Sequence, residues 1–65
     1  MCLARVYGQK KEQEEGVLIA DSIARIYPDG DKIKLFDIFG DETVVEGTLI
    51  DMDLERNMVK IALAQ

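Results

Sequence analysis

The chain has 65 residues, with thirteen Asp and Glu against eight Lys and Arg, one Cys and no His, for a formal net charge of −5. A length of this order predicts a single domain spanning residues 1–65, and it buries only about 60% of the surface of the unfolded chain, so self-association is a natural source of extra stability. The acidic balance disfavours nucleic acid and anionic membrane as partners, because both are held by Lys and Arg, which are scattered here among more numerous acids.

The opening "CLARVY" places Ala4 and Val6 on one parity and Leu3, Arg5 and Tyr7 on the other, which predicts a short strand. From Gly8 to Gly16 there is no apolar residue, and the segment reads as a long polar hairpin loop. The next run, "VLIADSIARIYPDGD", admits two readings. Leu18, Ile19, Ser22, Ile23 and Ile26 would share one face of a helix. The β-branched content, and the alternation of Ile23, Arg25 and Tyr27 with Ala24 and Ile26, favour strands. The strand reading is preferred because "YPDGD" is a strong turn signal. It predicts a strand at Val17–Ala20, then a hairpin of Ser22–Tyr27 with Lys32–Phe39.

"GDE" at 40–42 predicts another turn. Beyond it, Gly47 interrupts a strand pattern and predicts a bulge or sharp bend. Ile50, Met52 and Leu54 alternate with Asp51, Asp53 and Glu55. "LERN" makes a turn, and Met58–Leu63 returns as the last strand. Five to six short strands with regular turns predict an all-β fold, a small antiparallel barrel of SH3-like or Sm-like type.

The chemistry available is narrow. Without His, the commonest transition-metal ligand and the usual neutral-pH general base are missing. No Ser–His or Cys–His pair can be formed, and no phosphate-binding loop is present, so the chain is not expected to be an enzyme. Asp51, Asp53 and Glu55 would share one strand face and could hold a hard cation, although a solvated acidic face is the simpler reading. "PDGD" at 28–31 carries too few ligands for an EF-hand and reads as a turn. No apolar run approaches the roughly 18 residues of a membrane span. The first residues lack a signal-peptide pattern, and a single Cys suits a reducing compartment, so a cytoplasmic location is expected.

Cys2 is the remaining candidate. By residue type alone a free Cys is expected to be buried as a small hydrophobe. Its position suggests another use. A terminal amine on Met1, the Cys2 amide nitrogen and the Cys2 sulfur can close fused five-membered chelate rings on one metal. Nitrogen and thiolate donors in a flat arrangement suit Ni(II) or Cu(II). One Cys per chain gives one thiolate, so a two-fold homodimer would supply two.

The opening "MCLARV" resembles that of the CooT family of small nickel-binding proteins, associated with carbon monoxide dehydrogenase maturation. Looser similarity runs through "DSIARI", "LFDIFGDE" and "GTLIDMDLERNMVKI". The resemblance implies a small SH3-like barrel and a homodimer. It also implies one Ni(II) per dimer, bound through Cys2 at the dimer interface with the adjoining N-terminus. The implied role is that of a metallochaperone or nickel store, with a nickel enzyme or its maturation proteins as further partners. A different class of function, a metal-free small-barrel module that binds protein or RNA, is the alternative.

Overall fold

The computed structural model describes residues 2–12 and 15–64. Five strands form in chain order: β1 Ala4–Gln9, β2 Val17–Asp29, β3 Lys32–Asp37, β4 Glu42–Asp53 and β5 Met58–Leu63. They close into a barrel in the order β1-β2-β3-β4-β5. Sequential neighbours are antiparallel, and β1 meets β5 in parallel, with Arg5 opposite Met58 and Gln9 opposite Ala62. The parallel seam follows from strand parity. In an up-and-down ring with an odd number of strands, the first and last run the same way.

The all-β barrel expected from the sequence is therefore the fold observed, with five strands. One of them is longer than expected. The segments Val17–Ala20 and Ser22–Tyr27 are one strand of 13 residues, bent where Ser22 takes a positive φ of 56°. Its first half pairs with β1 and its second half with β3. Ile23 belongs to both ladders, opposite Ala4 on one side and Asp37 on the other. Strand β4, 12 residues long, turns a second corner. It pairs with β3 as far as Glu46 and with β5 from Gly47 onward.

Gly47 is required at that corner. A Cβ there would run into the Ala62 carbonyl oxygen, and its amide donates to the Asp31 carbonyl at 2.8 Å. The bend expected at Gly47 is thus a change of partner, while the register slips further on, between Leu49 and Asp51. The hairpin of β2 and β3 is tighter than expected. Pro28 and Asp29 are within β2, opposite Ile33 and Lys32, leaving Gly30 and Asp31 as the two-residue loop.

The core is aliphatic. Val6, Ile23, Ile33, Leu35, Val59 and Ile61 are buried, and half-buried Ala4, Ala20, Ile26, Val45 and Leu63 pack against them. Burial of each large member contributes about 1.5–3 kcal/mol. Alternation along each strand sends its other side chains outward, where Tyr27 and Phe36 meet edge to face at 5.6 Å.

Candidate functional site

Strand β1 starts at Ala4, so Cys2 lies two residues ahead of it, outside the ladder. Its thiol is free and the residue is exposed. The burial expected for a free Cys is therefore overturned. The physical reason is local: Ala4 and Val6 supply the inward side chains of β1, and the chain has already left the barrel wall at Cys2. Met1, the other expected donor, lies outside the described residues.

Two features fix the ground around Cys2. The amide of Arg5 donates to the carbonyl oxygen of Asn57 at 2.9 Å, which ties the start of β1 to the turn before β5. That turn is shaped by Asp53, whose Oδ1 accepts from the amides of Glu55 and Arg56, both at 3.1 Å. Asn57 closes it with a φ of 55°, a left-handed conformation that Asn tolerates better than most residues. Beside this anchor lies an apolar groove of about 210 Å³, lined by Cys2, Leu3, Ile26, Met52 and Leu54 among others. Leu54 is 75% exposed and Met52 47%. Cys2 is thus on the rim of a hydrophobic surface.

The groove was not legible in the sequence, because its walls come from the β1 lead-in, the middle of β2, the end of β4 and the start of β5. The one available signal was Leu54, an apolar residue inside the polar "DLERN" turn.

The acidic residues do not form the cation face considered above. Strand β4 ends at Asp53, so Glu55 lies in the turn. Asp53 is engaged with that turn and faces Arg56 Nε at 3.7 Å, while Asp51 stands opposite Lys60. Among the described residues, no group of three or more His, Cys, Asp or Glu side chains is placed to hold a metal. A larger concavity of about 420 Å³ on the outer face of β1, β5 and β4 is lined by Tyr7, Asp51, Arg56 and Lys60 among others. It brings both signs of charge together and does not include Cys2. The segment 28–31 is the hairpin turn its sequence suggests.

Chemically, the Cys2 site offers one accessible soft donor on a short extended lead-in, next to backbone nitrogen. Cys2 is the single Cys of the sequence, so a second thiolate has to come from another molecule.

The family model for the CO dehydrogenase accessory protein CooT matches residues 1–62. Among solved structures, a chain designated a candidate CooT from Carboxydothermus hydrogenoformans has the same fold, with a TM-score of 0.81 and 16% identity. The match covers 98% of this chain and 100% of that one. No curated protein matches the chain.

Proposed function

This chain belongs to the CooT family of CO dehydrogenase accessory proteins, and from that premise we propose that it is a homodimeric carrier or store of Ni(II) for carbon monoxide dehydrogenase maturation. It performs no catalysis of its own. Nickel is its cargo, bound through the Cys2 thiolate and the adjoining N-terminal nitrogen.

The observation that carries this reading is the exposure of Cys2 on the rim of the apolar groove. Two copies that cover their grooves against each other would bury Leu54, Met52 and Leu3. The same two-fold contact would bring two Cys2 thiolates to one axis. Thiolate and deprotonated nitrogen donors suit a tetragonal divalent ion such as Ni(II). A site at the end of a lead-in, outside the hydrogen-bonded ladder, releases its cargo by ligand exchange without opening the core. A reducing cytoplasm keeps such a thiol available.

Calorimetric titration with Ni(II) tests the reading. Wild type is expected to bind one Ni(II) per two chains, with a thiolate-to-nickel charge-transfer band, and Cys2→Ser to lose both. An isotherm unchanged in Cys2→Ser would put the metal elsewhere on the chain, and no binding by wild type would favour the metal-free interaction module.

A further inference from the structure

We propose that the loop bearing Phe39 is the surface by which this protein docks on its nickel-receiving client. The occupant is carbon monoxide dehydrogenase, meeting Phe39 with an apolar pocket rimmed by Lys and Arg. This rests on the delivery reading above and assigns that function a second contact, away from Cys2.

Phe39 is 84% exposed, and neighbouring Ile38 is 47% exposed. The sequence suggested that both belong to a strand, but β3 stops at Asp37. The Asp37 carboxylate stops it: Oδ1 accepts from the amides of Phe39 at 2.8 Å and Asp41 at 2.9 Å. The Asp37 amide donates to the Asp41 carbonyl, the Gly40 amide to the Asp37 carbonyl, and the Ile38 amide to the Ser22 carbonyl, each at 3.0 Å. Gly40 has a φ of 87°, which a side chain would oppose. Five hydrogen bonds thus hold the four-residue loop between β3 and β4, whose largest side chain is mostly exposed. An aromatic presented on a fixed backbone pays little ordering entropy when it enters a pocket, and such anchors dominate interface energetics.

The charge around it selects the partner. "DIFGDE" at 37–42 holds three acids and no base, and Asp21 adjoins Ser22, the residue that binds the loop. Asp21, Asp41 and Glu42 are exposed. The nearest cation in register is Arg25, opposite Phe36. An acidic rim around an aromatic anchor is complementary to a basic rim around an apolar pocket, and it speeds encounter with one.

Position links the loop to delivery. Ala4, Ile23 and Asp37 stand in one row across β1, β2 and β3. Cys2 lies two residues before that row and Phe39 two residues after it, and β1 and β3 run the same way, so the two lie on opposite sides of the row. A client held at Phe39 therefore does not cover Cys2.

Binding of purified nickel-free carbon monoxide dehydrogenase to the nickel-loaded protein tests the proposal, with wild type and Phe39→Ser compared at low and moderate salt. Wild type should bind in a salt-sensitive way, and Phe39→Ser at least ten-fold more weakly, with unchanged circular dichroism and Ni(II) isotherm. Asp41→Lys should slow association and flatten the salt dependence. Binding by Phe39→Ser within two-fold of wild type overturns the docking proposal and leaves the delivery reading standing. No binding by wild type at tens of micromolar overturns both. Dissociation of a wild-type dimer by Phe39→Ser would instead make a second copy of this chain the occupant and overturn the proposal.

Discussion

The amide of Arg5 and the carbonyl of Asn57 are joined by a 2.9 Å hydrogen bond, which holds the lead-in carrying Cys2 against the turn that starts β5. Asn57 can offer that carbonyl because its backbone is left-handed, with φ 55°. A β-branched residue there would be strained by about 1–3 kcal/mol. Asn57→Val is therefore expected to lower the urea midpoint and to weaken Ni(II) binding together, whereas Asn57→Gly should do neither. If Asn57→Val binds Ni(II) as wild type does, the turn has no part in placing the thiol.

The apolar rim beside Cys2 gives a prediction about assembly. Leu54 is 75% exposed in the single chain, so Leu54→Glu removes no packing from the core. Its unfolding free energy at low protein concentration should stay within about 0.5 kcal/mol of wild type, as for most surface substitutions. Sedimentation equilibrium should show wild type as a dimer and Leu54→Glu shifted toward monomer. A variant that dimerises as wild type does would place the contact elsewhere on the barrel.

Gly47→Ala is expected to be costly although it replaces no side chain of the core. The added Cβ would meet the Ala62 carbonyl oxygen and lie 2.9 Å from the Ile61 side chain. The corner of β4 must open or β5 must shift, at the upper end of the about 1–3 kcal/mol typical of overpacking. That is a large share of the stability of so small a domain, on the order of 3–10 kcal/mol at typical per-residue values. Thermal unfolding followed by circular dichroism should show a lowered midpoint, and no change would mean that the corner is pliable.

The nitrogen donors are tested at the chain end. An extension ahead of Met1 moves the amine away and leaves Cys2 in place. Such a protein should keep its circular dichroism spectrum and bind Ni(II) more weakly, or with an altered charge-transfer band. A tag after Gln65 should leave both unaltered. Equal binding by the extended form would leave the two thiolates as the principal donors. Acid should release the metal in every form, because protons compete for thiolate and nitrogen.

Legibility in the sequence followed the range of the interactions involved. Strand β5 could be read to the residue, Met58–Leu63, since alternation and the preceding "LERN" turn are local signals. The fusion of two expected strands into β2 could not, because its bend rests on a left-handed Ser22 that composition does not announce. Strand β3 ended two residues early for a similar reason: a carboxylate captured amides that the pattern assigned to a ladder. Cys2 shows the limit most clearly. Its residue type argued for burial, whereas its exposure depends on where β1 begins, and the groove beside it has walls drawn from four segments.

The parallel seam between β1 and β5 also makes the surroundings of Cys2 depend on both halves of the fold. The turn that anchors its lead-in lies at Asn57, and the strand that closes the barrel is Met58–Leu63. Contacts between chain segments so far apart form late and slow the folding reaction. A chain cut before Asn57 would keep the thiol but not its anchored setting, and under the proposed function it would be a poor competitor for metal.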